Sequence, residues 1–397
     1  MTTRPIKNEF LLDPDVVYLN HGAYGAVPKP VFESYQRWQL LSERQPVDFL
    51  SRHGTERLAV SRQALADYLG TQRDNLVYVQ NGTIGLNIIA HNLHLQEDET
   101  LLTTDHEHGG INRMWRRFSV LRKFEYRTVS FPTPMTTHRE FVEIFWSAVT
   151  PDVKAIFISH ITSPSALIFP VKEICARARA AGILTIVDGC HAPSQIPLNL
   201  EDIGADYYVG ILHKWLCAPR GSAFLYVRPE MQTKAEPMVV SWGWEPKKPG
   251  PSRFVEYHEW QGSRDISSFL AVPDAIEFQR SHDWHSVRKR CTQLADQAQW
   301  ALSEITGMSP YTNGGAEWFS QAVCVPIPED IDDEEMRERM RHEHNIEVSI
   351  DTLNTKPRIR VSVQGYNDED DIERLLVAVK KLLGKCRNTK NKTIAMT

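Results

Sequence analysis

The chain lacks the features that mark membrane, secreted or nucleic-acid-binding proteins. No apolar run is long enough to span a bilayer, and the stretch from Met1 to Phe10 is too polar for a signal peptide. Its six cysteines are scattered and form no CxxC pair. The net charge is −5, and lysine and arginine form no basic stripe. We therefore expect a cytoplasmic protein in a reducing compartment, with neither nucleic acid nor membrane as a partner.

What is present is an ordinary globular composition with a regular alternation of elements. The chain has 397 residues, of which 42% are hydrophobic and 24% charged. Apolar runs predict strands at 76–80, 100–104, 124–129, 155–159, 184–187, 207–210 and 223–227. Helical patterns lie between them at 86–92, 141–149 and 171–181. This alternation predicts an α/β fold with a mostly parallel sheet covered by helices on both faces.

The two ends of the chain have a different character. We predict an N-terminal arm over 1–30, a large domain over 31–270 and a small C-terminal α+β domain over 271–397. In that last domain the patterns predict strands at 322–326, 346–348 and 358–363 and helices at 333–343 and 368–383. Residues after Gly384 are polar, and we expect them to fray.

Two segments carry the clearest chemistry. Asp188 ends an apolar strand-like run, and Lys214 follows the next such run between His213 and Trp215. Pyridoxal 5′-phosphate needs a carboxylate that keeps its ring nitrogen protonated and a lysine amine that bonds to its aldehyde. Ligands of open α/β sheets bind at the carboxyl ends of strands, where Asp188 is expected. The alternative is a turn aspartate and a surface lysine.

These segments, with motifs from Tyr18-Leu19-Asn20-His21-Gly22 to Arg358–Ser362, resemble the class V aminotransferase family of pyridoxal phosphate enzymes. The resemblance is strongest to the branch of isopenicillin N epimerases and carbon–sulfur lyases. It implies fold type I, with a seven-stranded sheet in the large domain, and a homodimer with shared active sites. Since the family runs many reactions on one site, it leaves the reaction open.

The segment Asn81-Gly82-Thr83 follows a strand and opens a helix. A helix N-terminus has free backbone N–H groups that can bind phosphate, and Gly82 would let the phosphate approach. An Asn-Gly turn with a helix cap explains the same residues, and the resemblance favours phosphate. Relatives often carry a serine three residues before the lysine, where this chain has Ile211, so His213 is expected to take more of this role.

The resemblance also assigns the rings and hydroxyls around the cofactor. His108 matches the residue that stacks on the pyridine ring, and as a histidine it could also move a proton at Cβ. A metal site built on the two acids and two histidines of Asp105-His106-Glu107-His108 is the alternative, although no HExxH helix and no further ligand cluster is evident. Ser163 replaces an asparagine that binds the cofactor phenolate, and His191 matches a residue beside the phenolate or Asp188.

Two further groups come from distant parts of the chain. Gly262 and Ser263 match a motif that reaches the phosphate of the neighbouring subunit, or they form a simple helix cap. Arg360, with Asn20 or His21 from the arm, is implied to bind the substrate carboxylate. Arg358 lies on the same strand face and is the residue most easily confused with Arg360.

The expected function is a carbon–sulfur β-lyase acting on an amino acid or an S-conjugated cysteine in sulfur or secondary metabolism. Lys214, His108 and Asp188 would be its catalytic residues. The alternatives are an epimerase and a decarboxylation-coupled oxidative deaminase, as in lincosamide-type antibiotic biosynthesis. A metal-dependent hydrolase is a further alternative, from a different class. A cysteine desulfurase is disfavoured, because no cysteine lies between Glu347 and Arg360.

Overall fold

The computed structural model describes residues 6–313, 315 and 317–394. The strands of this part of the chain are β1 (Val17–Tyr18), β2 (Leu76–Val79), β3 (Thr100–Thr104), β4 (Glu125–Val129), β5 (Val153–Ser159), β6 (Leu184–Asp188), β7 (Tyr207–Ile211), β8 (Ala223–Val227), β9 (Ala322–Pro326), β10 (Ile346–Glu347), β11 (Ser349–Leu353) and β12 (Lys356–Ser362).

The helices are α1 (His21–Tyr24), α2 (Lys29–Arg44), α3 (Gly54–Leu69), α4 (Gly82–Asn92), α5 (Gly109–Arg122), α6 (His138–Ser147), α7 (Val171–Ala180), α8 (Leu200–Ile203), α9 (Arg253–Glu259), α10 (Ser267–Leu270), α11 (Val272–Ser281), α12 (Trp284–Thr306), α13 (Asp333–His344) and α14 (Glu369–Ile394). Short 3₁₀ turns lie at Lys7–Glu9, Arg73–Asn75 and Pro229–Lys234, and a π-helical turn lies at Asp48–Arg52.

The large sheet has seven strands in the order β2-β8-β7-β6-β5-β3-β4. Neighbours from β7 to β4 pair in parallel, while β8 runs antiparallel to both β7 and β2. This confirms the predicted mostly parallel sheet of fold type I. In register, Ser159 pairs with Asp188, and Asp188 pairs with Val209. The carboxyl ends of β5, β6 and β7 therefore meet at one edge, which is where the site forms.

Both faces of this sheet are buried, as expected for parallel strands covered by helices. Alternate residues of β5 show this directly: Ile156 and Ile158 belong to one hydrophobic core, whereas Ala155 and Phe157 belong to another. Burial on both faces explains why the strands read as continuous apolar runs. It also holds the strand ends, and the polar residues on them, in a rigid frame.

The C-terminal part of the chain forms a second, antiparallel sheet in the order β11-β12-β9. The N-terminal arm joins it, since β1 pairs with β10 and Asn20 bridges to Ser362. The predicted domain boundaries at 30/31 and 270/271 stay a prediction. Within the described residues, no helix combines the length and apolar character needed to cross a membrane.

Three details differ from the sequence predictions. The last helix runs to Ile394, although fraying was expected after Gly384. No proline interrupts the segment from Gly384 to Ile394. Strand β11 and helix α5 were not predicted. Strand β11 pairs along its whole length with β12, a contact between segments that local patterns do not report.

Candidate active site

The edge where β5, β6 and β7 end opens into a cavity beside Lys214. Seven residues proposed from the sequence line it: Gly82, Thr83, His108, Ser163, Asp188, His191 and Lys214. The remaining lining residues are Leu86, Ile111, Ser159, Ile161, Cys190 and Ile211. The structure thus brings together groups that are far apart in the chain, because they sit on the ends of adjacent strands and the starts of the helices that follow.

Lys214 lies within hydrogen-bonding distance of an imidazole. Its Nζ is 2.9 Å from Nε2 of His191, whose other ring nitrogen lies 3.3 Å from the indole Nε1 of Trp215. Burial, reinforced by the positive charge of Arg360, lowers the pKa of Lys214 to about 8, while Asp188 acts in the opposite direction. At pH 7 a lysine with a pKa of about 8 is a free amine in about a tenth of molecules, far more than an ordinary lysine, and only that form is nucleophilic.

Asp188 ends β6 and is almost completely buried. Its Oδ1 accepts a hydrogen bond of 2.9 Å from the backbone N–H of Cys190. Gly189 follows it because a Cβ there would lie 2.0 Å from the ring of Tyr208. The carboxylate is therefore held at the strand end by a tight turn.

Helix α4 begins at the opposite part of the cavity wall. Asn81 caps it by accepting a 2.9 Å hydrogen bond from the backbone N–H of Ile84, so this side chain has the capping role that the sequence left open. A Cβ at Gly82 would lie 2.2 Å from Sγ of Cys190, so packing against that thiol already requires glycine here. The N–H groups of Gly82 and Thr83, in the first turn of the helix, have no intrahelical acceptor and could bind an anion.

His108 precedes α5 and is exposed on the cavity wall. Partial exclusion of water from its ring lowers its pKa; Asp188 raises it, and the positive charges of Lys214, Arg360 and Arg113 lower it further. A Cβ at Gly110 would lie 3.0 Å from the ring, so the glycine leaves room for it. The ring is thus available as a neutral group that can stack or accept a proton.

The neighbouring His106 does not join His108. Its Nδ1 lies 2.6 Å from Oγ of Ser165, and the ring packs edge-on against Phe169 and Tyr311 in the core. Within residues 6–313, 315 and 317–394 no group of three or more His, Cys, Asp or Glu side chains is arranged to hold a metal ion. His106 and His108, which suggested a metal site, therefore lie in different surroundings: His106 packs in the core and His108 lies on the cavity wall.

Glu107, between these histidines, was considered from the sequence only as a candidate metal ligand, and its place beside the cavity was not predicted. Its side chain is buried and accepts hydrogen bonds from Thr104 and from both the backbone and the hydroxyl of Ser159. Burial raises its pKa to about 7, and the nearby Asp188 raises it further, against these hydrogen bonds. A buried acid between two histidines in a strand–loop–helix segment was the signal that could have identified it.

The structure separates the two arginines of β12. Arg358 forms an ion pair with Asp351 on the neighbouring strand β11. Arg360 is buried and donates to the backbone carbonyl of Ser163 at the cavity wall, yet its Nε has no hydrogen-bond partner. Among the residues that the structure describes, no carboxylate lies within 4.0 Å of Arg360. Burial and the charge of Arg358 lower its pKa to about 10, so it remains a cation.

Three predicted site residues lie around the cavity rather than on its lining. His21 is fully buried, with Nδ1 3.0 Å from the hydroxyl of Tyr366 and Nε2 3.0 Å from the carbonyl of Lys214. His213 turns its Nδ1 to the carbonyl of Ser222 at 3.0 Å. Asn20 donates to Glu347 at 3.2 Å, while its buried Oδ1 has no partner. Of the arm residues, only Asn20 therefore keeps an unused polar atom.

Gly262 and Ser263 do not line the Lys214 cavity. Gly262, with φ of +102°, lines a separate groove beside Trp242 and Trp260. Its neighbour Gln261 accepts from the side chain of Gln80 at 3.4 Å, just before the start of α4. Within one chain these residues therefore lie near the start of α4 but outside the cavity.

Sequence comparison places this site in a known family. The family model described as aminotransferase class-V matches residues 17–375. The chain belongs to the class V aminotransferase family. It is 33% identical to isopenicillin N epimerase of Streptomyces clavuligerus, over 96% of this chain and 98% of that protein. It is 26% identical to a putative L-cysteine desulfhydrase of Oryza sativa subsp. japonica, over 93% of this chain and 83% of that protein.

Solved structures agree on the fold of this class V chain. A C-DES variant with glycine covalently linked to its pyridoxal phosphate cofactor superposes with a TM-score of 0.83 at 18% identity, covering 95% of this chain and 99% of the other. The cysteine desulfurase of Thermococcus onnurineus NA1 gives 0.81 at 20% identity, covering 96% and 98%.

The chain is a pyridoxal 5′-phosphate-dependent enzyme. Its cavity suits that cofactor in its own right. An acid at the end of β6, a lysine of lowered pKa and the start of α4 line one cavity. They match the ring nitrogen, the aldehyde and the phosphate of the cofactor.

Proposed function

We propose that this class V enzyme is a β-lyase that cleaves the carbon–sulfur bond of cysteine or of an S-conjugated cysteine. The observation that carries the proposal is the placement of His108 on the cavity lining and of Arg360 directly behind it, against the lining residue Ser163. Arg360 is a buried cation without a carboxylate partner, which suits an α-carboxylate. His108 presents a neutral ring to the cavity, which can serve a leaving group on the next carbon.

The roles of the residues follow from their positions. Asp188 would keep the ring nitrogen of the cofactor protonated, and the start of α4, with Gly82 and Thr83, would hold its phosphate. Pyridoxal phosphate, when bound, supplies an electron sink for the pair of electrons released at Cα. Arg360 would bind the substrate carboxylate, with the second N–H of the Asn20 amide nitrogen, whose other N–H donates to Glu347, as a further donor. Binding of the carboxylate would orient the Cα–H bond of the substrate toward Lys214, whose amine would remove the proton.

His108 would then assist departure of sulfur from Cβ. Cleavage of the Cβ–S bond would leave the electron pair on sulfur as a thiolate, and His108 could relay to that thiolate the Cα proton that Lys214 has taken up, which returns Lys214 to the free amine. His191, Ser163 and His213 would complete the surroundings of the cofactor phenolate and phosphate. The buried contacts of His21 suggest that it supports the backbone of Lys214 rather than the substrate.

An epimerase is the second candidate, and one observation favours it. The chain shares 33% identity over nearly its full length with isopenicillin N epimerases of two bacteria, one of them Amycolatopsis lactamdurans. An epimerase must return the proton to the opposite face of Cα, which would give His108 or a residue of similar reach the role of second acid. A decarboxylation-coupled deaminase and a place in antibiotic biosynthesis are further possibilities of the same site.

A desulfurase fits the cysteines of this chain poorly. Cys324 lies opposite Arg360 on β9 but is buried, and burial raises the pKa of its thiol to about 11. Such a thiol is not a nucleophile near neutral pH.

The described cysteines are all buried and unpaired, which supports a reducing, cytoplasmic setting.

We also propose that the enzyme is a homodimer whose sites are completed across the interface. Gly262 and Ser263 do not line the cavity of their own chain. The segment before them exposes an apolar surface, with the side chain of Trp242 83% exposed and that of Val240 64% exposed. Apolar side chains exposed together in this way are typical of an interface.

The experiment supplies the full-length chain with pyridoxal phosphate and offers S-alkylcysteines and cysteine in deuterated water. Release of thiol or sulfide with a keto acid supports the lyase. Deuterium at Cα with inversion and no keto acid supports the epimerase, and carbon dioxide release supports the deaminase. A chain that gains no visible absorbance with the cofactor would refute the assignment of Lys214.

A further inference from the structure

The indole N–H of Trp215 is directed at the imidazole of His191, which lies beside Lys214. Its Nε1 lies 3.3 Å from Nδ1 of His191, and Trp215 is completely buried. An indole N–H can only donate, so the ring nitrogen facing it must accept. The other ring nitrogen of His191, Nε2, lies 2.9 Å from Nζ of Lys214.

The orientation of Trp215 is fixed from three sides. Its backbone carbonyl accepts from the side chain of Gln279 at 2.9 Å. The ring of His21 packs at 5.2 Å between centroids. A Cβ at Gly22 of the arm would lie 3.3 Å from the indole and 3.4 Å from the ring of His191. The arm therefore packs closely against the indole of Trp215 and the imidazole of His191.

A neutral imidazole carries one ring hydrogen, and here the contacts decide its position. Burial, reinforced by the positive charge of Arg360, keeps the pKa of His191 well below 6.5, so the ring is neutral. With Nδ1 accepting from Trp215, the hydrogen sits on Nε2 and points at Lys214. An amine can accept that hydrogen only through its lone pair, that is, in its unprotonated form.

We propose that Trp215 is a positioning residue that holds His191 as the Nε2–H tautomer and so keeps Lys214 as the free amine. This rests on the proposed role of Lys214 as the residue that bonds to the cofactor. A protonated Lys214 would donate to Nε2 instead and force the ring hydrogen onto Nδ1. Two N–H groups, from Trp215 and His191, would then face each other without an acceptor.

Other charged and titratable groups also face Lys214. They belong to β6 and its turn, to the start of α5, to β12 and to the lysine's own segment: Asp188, Cys190, His108, Arg360 and His213. These act through charge and desolvation, which do not depend on the indole hydrogen. Removing only that hydrogen therefore isolates the contribution of Trp215.

The test compares Trp215→Phe with Trp115→Phe. Trp115 is equally buried, but its Nε1 has no hydrogen-bond partner, so its replacement removes an indole without removing such a bond. Acylation of residue 214 with acetic anhydride is followed against pH in the full-length chain before cofactor is added. We expect the apparent pKa of Lys214 to rise by about 0.5 to 1 unit in Trp215→Phe, as loss of one hydrogen bond implies. The control is expected to keep the wild-type value.

A direct reading of the tautomer accompanies this measurement. In chain labelled with ¹⁵N-histidine, protonated and bare ring nitrogens resonate at well-separated shifts, and His191→Leu identifies its signals. We expect the hydrogen on Nε2 in the wild type and a mixture in Trp215→Phe. In the His191→Leu background, Trp215→Phe should leave the pKa of Lys214 unchanged. A wild-type hydrogen on Nδ1, or an equal pKa shift in both tryptophan variants, overturns the proposal.

Failure of this inference is distinguishable from failure of the proposed function. Visible absorbance on adding pyridoxal phosphate reports the bond between the cofactor and Lys214, whichever tautomer His191 adopts. A coloured protein with an unshifted lysine pKa would refute the role of Trp215 alone. A colourless protein would refute the cofactor role of Lys214.

Discussion

The Lys214 cavity and the Trp242 groove are two concave regions with opposite characters. The cavity is small and lined by titratable groups from three parts of the chain, and the pKa of Lys214 in it is lowered to about 8. The groove is larger and open, and it is lined by the π-helical turn, α3, α9 and the segments on either side of α9 that carry Trp242 and Trp260. Size alone would select the groove, whereas the convergence of an acid, an amine and an unpartnered arginine selects the cavity.

The buried acids of the two regions also have different kinds of partner. Glu107 near the cavity and Glu259 at the groove both have their pKa raised to about 7 by burial. Glu259 has a cation, since Nε of Arg62 lies 2.6 Å from its Oε1. Glu107 is held by hydroxyl and backbone donors instead. The buried acid at the groove is thus paired with a cation, whereas the buried acid near the cavity is held by neutral donors.

The largest difference in turnover is expected between variants of two lysines. Lys214→Ala should lower turnover by a factor of about 10³ or more, because the residue both bonds to the cofactor and moves the Cα proton. Lys248→Ala makes the same change at an exposed position of the groove and should alter turnover less than about twofold. Steady-state kinetics and visible spectra of the two variants check this. Comparable losses in both would remove the distinction between the regions.

Next in size is the contrast between the two buried acids. Glu259→Gln removes the buried partner of Arg62 and leaves it only the more exposed Asp74, at 3.4 Å, so it should lower the free energy of unfolding by up to about 3 kcal/mol. In Glu107→Gln the amide oxygen can still accept from Ser159 and Thr104, and the cost at pH 5 should be below about 1 kcal/mol.

The pH dependence of Glu107 has a definite sign. Its folded pKa lies above its unfolded value, so its contribution is complete below pH 4.5 and is lost as pH rises through about 7. Relative to wild type, Glu107→Gln should therefore gain stability between these pH values, by at most about 3 kcal/mol. Urea titrations at pH 5 and pH 8 measure it. A constant difference between the variants would show that this carboxyl does not titrate in that range.

The arginines of β12 give a smaller effect that separates binding from folding. Arg360→Gln should raise KM about 10- to 100-fold by removing the carboxylate contact. Arg358→Gln should leave KM near wild type but lower Tm by several degrees, since Asp351 loses its buried partner. Kinetics and thermal unfolding of both variants are needed. If Arg358→Gln alone raised KM, the roles of the two arginines would have to be exchanged.

The smallest contrast concerns two helix caps. Asn81 caps α4 at the cavity, and Ser252 caps α9 at the groove by accepting from Val255. Alanine at either position should cost about 1 kcal/mol of stability. Only Asn81→Ala is expected to weaken the affinity for pyridoxal phosphate, by a few fold, which titration by visible absorbance detects. Equal cofactor affinity in both variants would argue that the start of α4 does not hold the phosphate.

The sequence by itself determined the sheet, the position of Asp188 and Lys214 and the cofactor. The apolar runs predicted the seven strands to within a few residues, because strands buried on both faces leave a continuous local pattern. Ligands at the carboxyl ends of such strands follow from topology. Order and spacing along the chain were enough for these features.

Other features were decided only by the tertiary structure. Nothing in the spacing of Arg358 and Arg360 tells which one meets Asp351, because that pairing depends on the unpredicted strand β11. His21 resembled a substrate ligand in its motif, yet its ring binds the Lys214 carbonyl. The roles of Glu107 and Trp215 depend on hydrogen bonds to residues far along the chain. Such contacts are set by how elements pack, and the local sequence carries no record of that packing.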